Sequence, residues 1–184
     1  MRLKAVALMA AVVAALSLSS CGNTEMKSKV AIPTKVAGEV PLNCTDTKIL
    51  EALKPIVPNS QFIDTHWAAA AGSDLGEVLD NAGIACSYGD QSVEIGVTVM
   101  WVKGADLFES RITAWHKDGQ KEIKIDGASQ AFFITQAQDA THEFHRWELN
   151  LLHNGIWINI KSTMGSTKSD NSSIVSAAIE SVDP

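Results

Sequence analysis

The chain has 184 residues, 15 basic against 21 acidic, and 46% apolar content. That length supports one domain with a sizeable core. A net charge of −6 argues against nucleic acid or an anionic bilayer surface as the main partner, and no apolar run reaches the roughly 20 residues of a membrane span.

The chain opens with Arg2 and Lys4, an apolar run from Ala5 to Leu16, and Leu18-Ser19-Ser20-Cys21. A charged tip, a short apolar core and small residues before a cleavage point describe a secretory signal. The stretch resembles the bacterial lipoprotein signal, in which a Leu-small-small-Cys box is cut before a lipidated cysteine. The resemblance implies a signal peptide over residues 1–20, lipidation at Cys21 and a partner membrane reached through that lipid alone. The 164 residues left would carry 13 basic against 21 acidic side chains. Outside the reducing cytosol, Cys44 and Cys86 then form an even pair. A bond between them would close a loop worth roughly 4 kcal/mol. Two free thiols or a metal pair are the alternatives, although no other soft ligand lies nearby in sequence.

Residues 21–42 hold Lys27, Lys29, Lys35, Pro33 and Pro41 among small polar residues and read as a flexible tether. The folded domain is expected over 43–184. Thr45 and Asp46 can cap a short helix with Ile49, Leu50, Leu53 and Ile56 at helical spacing, ended by Pro55 and Pro58. Gln61 to Asp64 could be a strand, Trp67 and its alanines a helical turn, and Ala69 to Asp74 a loop. From Ile84 the period becomes two. Ile84–Tyr88 and Ser92–Val102 read as a hairpin turning at Gly89-Asp90, with Val93, Ile95, Val97, Val99 and Trp101 on one face. Phe108, Ile112 and Trp115 favour a helix over 104–117, with a strand as the alternative. Lys121–Ile125 and Ala131–Gln136 are strand candidates.

Asn154-Gly155 is a strong two-residue turn signal because both residues tolerate positive φ. It joins Glu143–His153 to Ile156–Thr163 and pairs Leu151 with Ile158, Leu149 with Ile160, Leu152 with Trp157, Asn150 with Asn159, and Glu148 with Lys161. Asp170 or Ser172 caps a last helix with Ile174, Val175, Ala178, Ile179 and Val182 on its apolar side. These elements make an α+β fold, an antiparallel sheet packed by N-terminal and C-terminal helices gathered on one side.

This layout, with a lipobox, a tether, Cys44 before a short helix, Gly83-Ile84-Ala85-Cys86-Ser87-Tyr88 opening a strand pair and a closing helix, resembles small actinobacterial lipoproteins of unknown function. Some of these have a PsbP-like α+β sandwich. Such families often carry Trp two residues after the second cysteine, where this chain has Tyr88. The resemblance carries over no catalytic motif and implies a binding or envelope-assembly role.

Candidate chemistry is sparse. His142, Glu143 and His145 stand together, with His153 and the Asp64–His66 pair further off. They lack the His-Glu-x-x-His spacing of a helical zinc site, so no metal is expected. No Gly-x-Ser-x-Gly or phosphate-binding glycine loop is present, so neither catalytic residues nor a cofactor are expected. Trp157 alternates outward and faces Leu152. That pair is either a packing site for the C-terminal helix or a possible binding surface. The sequence therefore favours a non-enzymatic, lipid-anchored module on the extracytoplasmic face of the cell membrane, recognising an unknown protein or apolar ligand. The alternative is a carrier holding a lipid or small apolar ligand between sheet and helices. An extracytoplasmic enzyme would need His66, His142 or His145 to meet a carboxylate in a cleft.

Overall fold

The structure, a computed structural model, describes residues 38–139 and 145–183. The signal segment, Cys21, most of the tether, His142 and Glu143 lie outside the described residues. Seven antiparallel strands form one sheet in the order β1-β2-β3-β7-β6-β5-β4. They are β1 (Gln61–Ile63), β2 (Ile84–Asp90), β3 (Ile95–Lys103), β4 (Lys121–Ile123), β5 (Gln130–Gln136), β6 (Arg146–His153) and β7 (Ile156–Ser162). Four helices complete the fold: α1 (Ile49–Leu53), α2 (Asp74–Asp80), α3 (Ala105–Lys117) and α4 (Ser172–Glu180).

The helices do not gather on one side. α1 and α4 cover one face of the sheet, whereas α2 and α3 cover the other. Side chains alternate across a strand, so the register sorts every residue to a face. Under α1 and α4, rows such as Trp101–Ile158–Leu151–Ala131 and Cys86–Val99–Ile160–Leu149 are apolar throughout. Trp101, Trp147, Leu149 and Ile158 are fully buried there, and Trp101 Nε1 donates to the Ala178 carbonyl at 3.0 Å. α1 and α4 pack on this face through Ile49, Leu53, Ile174 and Ala178.

The Cys44–Cys86 disulfide is formed, with Cα atoms 5.5 Å apart. It ties the chain ahead of α1 to β2, and Tyr88 hydroxyl donates to the Cys44 carbonyl beside it at 2.6 Å. The fold begins earlier than Cys44. Gly38 N–H donates to the Asn154 carbonyl and Glu39 N–H to the Val182 carbonyl, at 3.2 and 3.0 Å. The end of the expected tether, 38–40, is therefore docked on the domain. These hydrogen bonds give its backbone partners it would otherwise find in water.

Several elements match their sequence patterns. The β6–β7 hairpin has Asn154 at φ +49° and Gly155 at +80°, and all five expected cross-strand pairs are present. The segment expected as a helix over 104–117 is helical over Ala105–Lys117, because Phe108, Ile112 and Trp115 form one face that packs on the sheet. Elsewhere the chain differs. The β2–β3 turn is Gln91–Glu94, not Gly89-Asp90, and Gly89 pairs with Gly96 inside the ladder. A Cβ on Gly89 would stand 2.3 Å from the Ile95 carbonyl oxygen, so this pair of strands needs glycine there. Val93 and Ile95 consequently lie at an exposed tip. α2 follows the expected loop of Ala69 to Asp74, over residues for which the sequence pattern indicates no element, and is capped by Ser73 Oγ accepting from Gly76 N–H at 3.1 Å. Residue 171, not 170 or 172, is the cap position of α4, and its side chain makes no capping bond.

Candidate functional site: a polar cleft on the second face

The face under α2 and α3 grades from apolar to polar along the strands. Its first row, Val102–Trp157–Leu152, and Met100 and Phe132 of the second pack beneath Phe108 and Trp115. Trp115 and Trp157 ring centroids are 5.4 Å apart. Trp157 is thus fully buried and Leu152 half-buried. The proposed Trp157–Leu152 recognition surface does not exist as an exposed patch. Nor does the C-terminal helix cover it, because α4 lies on the opposite face. The amphipathic face of α3 takes that place.

Toward the opposite pole the second row brings Asn159 and Asn150, and the third brings Ser87, Thr98, Lys161 and Glu148. A fourth position holds the bare Gly89–Gly96 pair. Here α3 no longer covers the sheet. An open groove of about 870 Å³ follows, lined by Ser87, Thr98, Gln136, Arg146, Glu148 and Lys161 among others. The exposed hairpin tip contributes Glu94 and Ile95 to its wall. A second cleft of about 220 Å³ lies toward the end of α3 and shares Arg146, Glu148 and Lys161 with the groove.

A hydrogen-bonded network links the two clefts, and its direction is set by chemistry. The indole of Trp157 can only donate, and it donates to Asn150 Oδ1 at 2.9 Å. Asn150 Nδ2 must then donate onward, to Gln120 Oε1 at 3.1 Å. Asn159 Nδ2 donates to Asn150 Oδ1 at 2.7 Å and to Glu148 Oε1 at 3.0 Å. Glu148 is only 3% exposed, yet its other oxygen receives Arg146 Nε and a terminal guanidinium nitrogen at 3.0 and 2.7 Å. Burial works against the charge on Arg146, but the Asp118 and Glu148 carboxylates outweigh it and raise its pKa further above the ordinary value. Lys161 Nζ stands 3.8 Å from Glu148 Oε1, too far for a hydrogen bond. Asp74, the first residue of α2, accepts from Arg111 Nε at 2.8 Å and Trp115 Nε1 at 3.0 Å, locking α2 to α3.

The network leaves two buried atoms without partners, Gln120 Nε2 and Asn159 Oδ1. Gln120 did not stand out in sequence and Asn159 did so only as the partner of Asn150, since the burial of an amide has no local pattern. Glu148 and Lys161 did stand out as a cross-strand pair, but nothing local showed that the carboxylate would be enclosed.

Among the described residues, the sequence-predicted histidines do not converge. His66 and Asp64 are exposed. His145 sits at the mouth of the groove with Nε2 against the Gly165 carbonyl. His153 lies at the other pole, between the Gly127 carbonyl at 2.6 Å and Asp183 at 2.8 Å. Among the described residues no group of three or more His, Cys, Asp or Glu could hold a metal ion. No helix among them is long and apolar enough to cross a membrane. What fold and site define is an α+β domain with a disulfide-tied edge and a polar cleft at one pole. No protein-family model, curated protein or solved structure matches this chain.

Proposed function

We propose that this protein is a lipid-anchored, extracytoplasmic binding module that engages its partner through the polar groove. The observation that carries the reading is the groove itself, about 870 Å³. That volume falls within the range of ligand sites, roughly 300–1,000 Å³. The groove encloses the buried carboxylate of Glu148, held by Arg146 and Asn159, beside half-buried Ser87 and Thr98, and a merely solvated sheet end needs no buried charge. The formed Cys44–Cys86 bond fits an oxidising compartment, and the Leu18–Cys21 box supports anchoring by lipid. An antiparallel sheet layered between helices is in keeping with a PsbP-like sandwich.

The placement of the groove supports the same reading. The chain enters the domain at Gly38, beside Asn154 and Val182. The groove lies at the other end of β6 and β7, beside Arg146 and Ser162. A lipid attached upstream of Gly38 leaves that pole free to meet a partner.

Two measurements test the proposal. A Cys21→Ser variant should leave the membrane fraction in the native host, and retention there would remove the lipid anchor from the reading. A photo-crosslinking side chain at Thr163, in the groove, should form adducts in cells that the same group at Lys103, near the other pole, does not. Equal labelling at both positions, or none at Thr163, would overturn the groove as the binding face.

A further inference from the structure

Resting on the binding reading above, we infer that the ligand taken by the cleft is a small, net-neutral polyhydroxyl compound of the sugar or alditol class. The smaller cleft is lined by three carboxylates, Asp74, Asp118 and Glu148, and three cations, Arg111, Arg146 and Lys161. These already pair with one another. An anionic ligand would meet the carboxylates and a cationic one the guanidinium groups, each losing water without a free counter-charge. A neutral ligand avoids both costs.

The hydrogen-bonding inventory narrows the class. Gln120 is 97% buried, lines the cleft, and its Nε2 has no partner. The chain from the Trp157 indole through Asn150 forbids flipping this amide, because Gln120 Oε1 must accept. Gln120 Nε2 therefore calls for an acceptor. Lys161, half-exposed and with no hydrogen bond of its own among the described residues, calls for acceptors too. Beside them the half-exposed carboxylate of Asp118, which also lines the cleft, can accept from a donor. Only a group that both donates and accepts at neighbouring positions serves all of them, and a row of hydroxyls does so.

The test uses the full chain and follows the side-chain amide of Gln120 by NMR. Glucose, myo-inositol and mannitol are titrated beside glutamate, citrate and putrescine. The neutral compounds should shift the Gln120 Nε2–H signals saturably, and Gln120→Leu should weaken their binding by about ten-fold or more. Unchanged indole signals of Trp101 and Trp147, on the opposite face, would show that this variant keeps the fold. Lys161→Met, on the half-exposed rim, gives a second variant with little risk to folding and should also weaken binding. Shifts produced by glutamate, citrate or putrescine alone would overturn the ligand class while leaving the groove as a binding face. Silence toward every compound would overturn it as well, and the crosslinks from Thr163 would then decide separately whether the groove binds anything.

Discussion

The two faces of this sheet bury their strand residues by different means. Under α1 and α4 the rows are Trp, Leu, Ile and Val, and their stability is that of apolar burial and close packing. Under α2 and α3 the same strands place Asn150, Asn159 and Glu148, each no more than 3% exposed. There stability depends on every donor finding its acceptor. The difference teaches where function can sit. A polar face held by hydrogen bonds can end in a cleft, and this one does so while Gln120 Nε2 and Asn159 Oδ1 remain without partners.

The sharpest way to break the apolar face is Trp101→Ala. The side chain is fully buried and tied to α4 through the Ala178 carbonyl, so the loss should be roughly 3–5 kcal/mol by chemical denaturation. Replacing both Cys44 and Cys86 by alanine should cost about 4 kcal/mol, because the unfolded chain regains the entropy of a closed loop spanning 42 residues. If the pair of substitutions left the denaturation midpoint unchanged, the bond would be incidental to the fold.

Asn150→Leu tests the polar face at nearly constant volume. It strands the Trp157 indole N–H and the Gln120 carbonyl oxygen, and should cost about 2–3 kcal/mol. Adding Trp157→Phe removes one of the stranded groups, so the double variant should lose less than the two single losses summed. Strict additivity would show that these side chains do not act as a unit.

What was legible in the sequence follows the same division. Local turn chemistry at Asn154-Gly155 set the β6–β7 register, and strict alternation placed Leu149, Leu151, Ile158 and Ile160 on one buried face. The other face carries no such alternation, because its buried residues include Asn150, Asn159 and Glu148. Their burial comes from α3, which is joined to the sheet by contacts far apart in sequence. Trp157, read either as packing under the C-terminal helix or as a binding surface, is covered by α3 instead: an outward side chain shows that it needs a cover, not which helix supplies it. α2 was lost behind Gly76 and the alanines of 68–71, although Ser73 was a usable cap. Gly89-Asp90 resembled a turn because glycine serves equally where two strands approach too closely for a Cβ.

Tyr88 offers the finest distinction between the faces, since it is the one titrating phenol of the chain and belongs to the apolar side. Burial pushes its pKa from 10.0 up to about 12, against a smaller opposing effect of the hydrogen bond with Thr47. The neutral hydroxyl can donate to the Cys44 carbonyl, whereas a tyrosinate would turn its charge toward that oxygen. A raised pKa in the folded state means that this contribution to stability is complete below pH 10. It falls as the unfolded chain begins to ionise, and is lost by about pH 12. The loss should reach roughly 2 kcal/mol. The lysines titrate over the same interval, so the comparison that isolates the phenol is with Tyr88→Phe, whose stability should decline less steeply there. Tyrosinate absorbance reads the same event directly, with a midpoint near 12 in the native protein and near 10 in denaturant. A native midpoint at 10 would mean that water reaches the hydroxyl beside the disulfide, and that this corner of the apolar face is open.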